Sequence, residues 1–303
     1  MAAATDAVVR AIEALMRGHR LAGQPRPDIR VGLIGRGIQL SRSPAMHERE
    51  AARLGLSCAY LLIDFDLLGL GDDDLGAALD AAAALGFHGV NVTHPFKQQV
   101  LPLLDALAPD AAALGAVNTV VFGAQRVGHN TDCWGFAESF RAAMPGAPLG
   151  RVALFGAGGA GSAVAYALVG LGAGRIDVVD SEAARAAALV ARLSAAAGAT
   201  RLAVADAAAA VRDADGIVNT TPVGMAKYPG MPFPAGLLSA RQWVADVIYF
   251  PAETELLRRA AALGCRTLPG IGMAIGQAAR AFELFTGRAA DMAAMAHHFE
   301  AAA

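Results

Sequence analysis

One glycine-rich cluster and four short polar ones, each set in apolar surroundings, carry the residue types in this chain that could do chemistry. Gly156-Ala157-Gly158-Gly159-Ala160-Gly161 directly follows the apolar run VALF and opens a stretch of helical composition ending near Leu171. Glycines at such a turn let backbone N–H groups approach a pyrophosphate at the N-terminus of a helix. Asp180 closes the next apolar run, about 20 residues further on, where a carboxylate can take both ribose hydroxyls of adenosine. The same carboxylate repels a 2′-phosphate, so the pattern points to NAD rather than NADP. Arg185, one helical turn later, reads as a solvated charge, although a guanidinium there could neutralise a phosphate.

The other four clusters lie in the first half. In Leu40-Ser41-Arg42-Ser43-Pro44 two hydroxyls stand at i and i+2, on one side of the chain if it is extended, and Ser43 before Pro44 also suits a helix N-cap. GVNVTHPFK (89–97) ends a buried-looking strand in Asn, Thr and Lys, at the edge of a parallel sheet where ligands bind. Gly115-Ala116-Val117-Asn118-Thr119 and Gly128-His129-Asn130-Thr131-Asp132 repeat an Asn-Thr pair beside small residues; taken singly, each suits a side-chain-made turn.

Composition narrows the partners. The 25 Lys and Arg balance 27 Asp and Glu with no long run of either sign, which argues against nucleic acid and anionic membrane as partners. Cys58, Cys133 and Cys265 are odd in number and far apart, against a disulfide framework or a zinc site and in favour of the cytoplasm. His297-His298 and the scattered histidines suggest no metal.

These clusters need elements to hold them. With 303 residues, 55% of them apolar, the chain suits roughly two domains. Residues 1–29 form a helical extension, amphipathic with Val8, Ile12, Leu15 and Met16 on one face. Strand-length runs at 31–35, 59–65 and 89–93 alternate with helical stretches near 44–54 and 73–85, as in βαβ units. The rhythm restarts with runs at 151–161, 175–180, 201–206, 215–221 and 243–249, which puts a domain junction between about 125 and 150. The uncharged stretch 152–174 is long enough to span a membrane, but its glycine cluster favours a strand and turn. From Met273 onward the chain is helix-compatible, with Phe282, Leu284 and Phe285 on a face that must pack.

LSRSPAMH, GVNVTHPFKQ, GAVNTV, GHNTDCWGF, GAGGAG, NTTPVGM, DVIY and GIGMAIGQAA stand in the order and approximate spacing seen in shikimate and quinate dehydrogenases. The chain resembles that family from about residue 30 onward. The resemblance implies a two-domain α/β fold: a substrate-binding domain over 30–125, completed by 273–303, and a Rossmann-like dinucleotide-binding domain over 126–272. It implies Lys97 and Asp132 as the catalytic pair, and Ser41, Ser43, Thr93, Asn118, Tyr249 and Gln277 as ligands of a cyclohexane polyol acid. On the cofactor side it adds Thr220, Pro222, Val223, Gly224, Met225, Val247, Gly270 and Met273 to Gly156, Gly158, Gly159, Ala160, Gly161 and Asp180. Many biosynthetic members carry an Asn-Arg-Thr clamp for NADP where this chain has Asp180-Ser181-Glu182. The wording is therefore most similar to the NAD-dependent quinate/shikimate branch, although some members of that branch have Thr in place of Ser43. The expected partners are quinate, shikimate or their 3-dehydro forms, and the expected assembly is a monomer or homodimer. A biosynthetic shikimate dehydrogenase, an aminoshikimate-type enzyme and a non-catalytic regulator are the alternatives, the last opposed by the presence of both Lys97 and Asp132.

Overall fold

A computed structural model describes residues 2–19 and 27–300. The chain divides into two units, Met1–Thr131 with Ala278–Ala303 and Asp132–Gln277.

The first unit begins with α1 (Ala2–Gly18), followed by β1 (Ile29–Gly35), α2 (Ser43–Arg53), β2 (Cys58–Asp64), α3 (Leu75–Ala84), β3 (Gly89–Val92), β4 (Ala106–Leu107), α4 (Pro109–Leu114), β5 (Thr119–Phe122) and β6 (Arg126–His129). The strands form one sheet in the order β2-β1-β3-β5-β6-β4. β1 pairs in parallel with β2 and β3, and its apolar, buried run at 31–35 suits a strand covered on both faces. α1 supplies part of that cover: Val8 and Ile12 are buried in one cluster with Ile63, Leu75, Leu79 and Phe87. The N-terminal helix is thus integral to this core rather than an appendage.

β5 and β6 were not expected as strands. They form an antiparallel hairpin whose first strand pairs with β3, so residues 126–129, assigned from sequence to the second domain, belong to the first sheet. Their four-residue length leaves too few positions for a period to emerge, and their polar ends read as loop.

The second unit runs through α5 (Thr131–Ala143), β7 (Arg151–Phe155), α6 (Gly159–Gly170), β8 (Arg175–Val179), α7 (Ala183–Ser194), β9 (Arg201–Val204), α8 (Ala207–Asp213), β10 (Gly216–Asn219), β11 (Trp243–Asp246), α9 (Glu255–Ala262) and β12 (Arg266–Leu268). Its sheet is wholly parallel, in the order β12-β11-β10-β7-β8-β9. The order reverses between β7 and β10, the switch point at whose carboxyl end open α/β sheets bind ligands. The uncharged 152–174 stretch spans β7, the glycine turn and α6, and among the described residues no helix is long and apolar enough to cross a membrane. α10 (Ile271–Thr286) starts in this unit and continues into the first, where Ala281, Phe282 and Phe285 are buried with Ile29, Val31 and Tyr60. α11 (Met292–Glu300) then packs on α2.

Candidate active site

In the second unit the glycine turn separates into closed and open positions. Gly156 has φ +98°, and a Cβ on it would lie 2.7 Å from the Thr220 Oγ1; a Cβ on Gly161 would lie 2.0 Å from the Gly156 carbonyl oxygen. These two glycines allow β7, β10 and α6 to meet. Gly158 and Gly159 have nothing within 4 Å of such a Cβ, and Gly158, the N-cap residue of α6, supplies no side-chain cap. The first amides of α6 are therefore left for a ligand to satisfy, which is the fit that a dinucleotide pyrophosphate requires.

Asp180, just past β8, joins this cradle. Its Oδ2 accepts from the Ala157 N–H at 2.8 Å and its Oδ1 from the Glu182 N–H at 2.9 Å. A carboxylate has about four acceptor sites, so lone pairs remain for a ribose diol. Arg185 is ion-paired with Glu182 at 2.9 Å, both exposed.

Across the switch point, Thr220 Oγ1 donates to the Phe155 carbonyl at 2.7 Å. The loop through Pro222 and Val223 reaches Gly224, at φ +117°, and exposed Met225. Val247, Gly270 and Met273 line one small crevice together with Asp246 and Phe136. Tyr249 stands half exposed beyond β11. α5 and α10 cross at glycines, a Cβ on Gly135 falling 2.6 Å from the Gln277 backbone nitrogen. The helix that begins with Thr131 and Asp132 therefore touches the one that carries Gln277, and Asp132 itself is buried.

In the first unit the loops after β1 and β3 carry the rest. Asp64 is buried and accepts from the N–H groups of Gly37, Ile38 and Asp66 and from Gln39 Nε2, all at 3.0 to 3.1 Å. Burial alone would raise its carboxyl, but these hydrogen bonds outweigh it and hold the group below its ordinary range. This carboxylate shapes the turn that delivers Ser41. Arg42 has helical angles, so the segment is not extended and the same-side argument for Ser41 and Ser43 does not hold. Nor is Ser43 the N-cap: it is the first residue of α2, its N–H donates to Ser41 Oγ at 3.3 Å, and its hydroxyl bonds that of Tyr60.

Thr93 follows β3, its N–H donating to the Ile34 carbonyl, and Lys97 sits half-buried one turn later. Phe96 beside it is buried against Phe65, with ring centroids 4.6 Å apart, which anchors the lysine's backbone. Asn118 is buried; its Oδ1 accepts from the Thr131 N–H at 2.8 Å and from Thr119 Oγ1 at 3.0 Å. Asn91 Nδ2 donates to Thr119 Oγ1 at 3.0 Å, and Tyr60 donates to Asn91 Oδ1 at 2.9 Å. A continuous polar chain thus runs from Ser43 through Tyr60, Asn91, Thr119 and Asn118 to Thr131, the residue before Asp132.

Sequence reasoning passed over Tyr60, and it placed Asn91 and Thr131 in polar clusters without giving either a role. Tyr60 was hidden inside an apolar run, whereas Asn91 carried a signal, an amide in the middle of a buried strand. Within the first unit the arrangement offers fixed hydroxyls and amides of the kind a small polyol needs, beside the half-buried Lys97. Among the described residues no three His, Cys, Asp or Glu side chains could hold a metal together.

Family models place the chain in context. The shikimate dehydrogenase substrate binding domain matches residues 33–120, and the shikimate 5′-dehydrogenase C-terminal domain matches residues 270–297. A shikimate dehydrogenase (NADP(+)) of Streptomyces avermitilis is 58% identical over 86% of this chain and 91% of its own. A quinate/shikimate dehydrogenase (NAD(+)) of Corynebacterium glutamicum is 48% identical over 89% and 98%. Among solved structures, the quinate dehydrogenase of Corynebacterium glutamicum in complex with NAD is similar at a TM-score of 0.86 and 47% identity, covering 90% of this chain and 99% of that one.

Proposed function

This chain belongs to the shikimate/quinate dehydrogenase family, and on that premise we propose that it oxidises quinate, shikimate or both with NAD as acceptor. The observation that carries the cofactor choice is Asp180, a carboxylate tied to the Ala157 amide of the glycine cradle and followed by Glu182. A 2′-phosphate at this corner meets two carboxylates, whereas a ribose diol meets acceptors it can donate to. The NADP reading has its own support in the 58% identical relative and in Arg185 beside the corner, but that guanidinium is engaged with Glu182.

In this reading the open amides at Gly158 and Gly159 bind the pyrophosphate and Asp180 orients the adenosine. Thr220 to Met225, Val247, Gly270 and Met273 flank the nicotinamide, whose chemistry is to accept hydride from the alcohol carbon at its C4. Ser41, Ser43, Thr93, Asn118, Tyr249 and Gln277 hold the carboxylate and hydroxyls of the acid. As the C–H electron pair leaves, the hydroxyl proton passes to the Lys97 and Asp132 pair, and the carbonyl forms; reduction returns the proton by the same route. The three cysteines are free and buried, and the enzyme is assigned to the cytoplasm.

Initial rates with quinate and shikimate, each with NAD and NADP, test this reading. We expect kcat/KM to favour NAD by about tenfold or more, the effect of about 1.4 kcal/mol at one charged contact. A preference for NADP overturns the cofactor assignment, and no turnover of either acid overturns the function.

A further inference from the structure

Asp246 is a buried carboxylate, 1% exposed, to which no catalytic or ligand-binding role falls above. Every group on its two oxygens is a donor. Oδ1 accepts from the Ile248 N–H at 3.1 Å, Oδ2 from Thr254 Oγ1 at 2.8 Å, and Asn219 Nδ2 lies 3.2 Å from both. Among the described residues its partners are these hydrogen-bond donors alone, and burial raises its carboxyl above the ordinary range. A charge left in such a place is costly unless its hydrogen bonds are complete, so the groups it gathers are held firmly.

Those groups are the roots of the elements read as the nicotinamide side. Asn219 ends β10; its Nδ2 also donates to the Val223 carbonyl at 2.9 Å, and its Oδ1 accepts from the Thr221 hydroxyl at 2.7 Å. One amide thereby winds the loop over Thr220 to Val223. Gly224 rests on the same centre, since a Cβ there would lie 3.1 Å from Ile248 Cδ1 and 3.3 Å from Thr254 Cγ2. Ile248 turns the chain toward Tyr249, and Thr254 caps α9 by accepting from the Leu257 N–H. Gly270 approaches from the far side, a Cβ on it meeting the Val247 carbonyl oxygen at 2.3 Å.

We propose that Asp246 is a positioning residue for the cofactor, its carboxylate joining Asn219, Ile248 and Thr254 into the wall on the nicotinamide side. The inference rests on the reading that residues 220–225 and 270 flank that ring. It requires the acceptor character of both oxygens and not only their volume. In Asp246→Asn an NH2 group faces either the Ile248 N–H or the Thr254 hydroxyl, and in both orientations it also faces the Asn219 amide. The loop then loses at least one buried hydrogen bond to a charged acceptor.

The test measures equilibrium dissociation constants of NADH and NADPH by cofactor fluorescence, together with kcat and melting temperature. Asp246→Asn and Thr254→Val should each weaken the preferred cofactor by about tenfold, the scale of one charge-assisted hydrogen bond, while Thr254→Ser stays within about twofold. Leu193→Ala removes buried volume from α7 in the same unit and serves as the control for loss of stability alone. It should lower the melting temperature and leave cofactor affinity unchanged. If Asp246→Asn does not fold, the Thr254 pair decides. Unchanged affinity in Thr254→Val, or equal weakening in Leu193→Ala, overturns the proposal. Failure of the wild type to bind either nucleotide instead overturns the cofactor reading on which it rests.

Discussion

Single side chains separate the chemical reading from a structural one. If Lys97 moves the hydroxyl proton, Lys97→Ala lowers kcat by about 100-fold or more with little change in the KM of the acid. Asp132→Asn keeps the shape of a buried group and removes its charge, so it should depress kcat and displace the pH–rate profile. An ordinary ion pair would leave both variants near wild type, being worth under about 1 kcal/mol. Asp180→Ser removes the repulsion of a 2′-phosphate and should narrow the gap between NAD and NADP, read as the ratio of kcat/KM values. The variant also releases the Ala157 amide, which adds a loss of affinity common to both nucleotides on top of that change in ratio. An unchanged ratio ends the assignment. Asp180 stood out in the sequence because its signal is local, a carboxylate after a strand, whereas the pairing of Lys97 with Asp132 came only from the family resemblance. Tyr60 and Asp246 did not stand out, because their roles exist only through partners on other strands, Asn91 in one case and Asn219 in the other.

At the scale of elements, α6 shows how one glycine turn divides its work. Gly161→Ala drives a Cβ to 2.0 Å from the Gly156 carbonyl, a backbone contact that cannot give way cheaply, so strand and helix must separate. Melting temperature and cofactor affinity should fall together, with a stability loss of about 1–3 kcal/mol from overpacking. Gly159→Ala meets nothing within 4 Å and sits at the first position of the helix. It should keep or slightly raise the melting temperature, since alanine gains up to about 1 kcal/mol over glycine in a helix. Its methyl group instead occupies space at the open amides, so cofactor affinity alone should drop. Thermal melts and cofactor titrations of the two variants separate a packing glycine from a cradle glycine. The strands β1, β2, β3 and β7 were readable because each is an apolar run next to a helix of adequate length. β5 and β6 were not, since a four-residue antiparallel strand with polar ends has the same local pattern as a ligand loop.

Over the whole molecule, periodicity locates helices but does not say what they cover. The amphipathic face of α1 was visible, yet only tertiary contact shows Val8 and Ile12 inside the substrate-side core. Ile12→Ala should cost about 2–5 kcal/mol, read from denaturant unfolding, whereas an appendage helix would leave stability unchanged. A second consequence of assembly is His47 on α2. It is 1% exposed, its ring lies 4.8 Å from Tyr60 and 5.9 Å from Phe282, and neither ring nitrogen has a hydrogen-bond partner. Burial lowers its pKa from 6.5 to about 3. The sign of the linkage follows: below pH 6.5 the unfolded chain binds a proton at this position and the folded chain does not. Stability therefore falls as pH drops through 6.5 and continues to fall toward 3. At pH 5 the loss is about 2 kcal/mol, from 1.36 kcal/mol for each pH unit. His47→Phe offers a ring to the same aromatic neighbours, leaves no unsatisfied nitrogen and binds no proton in either state. Its melting temperature should exceed that of the wild type at pH 7, and the gap should widen by pH 5. The buried and paired carboxylates, Asp64 among them, titrate in both proteins and cancel in the comparison. Parallel melting curves across that range would show that the His47 environment admits a proton after all.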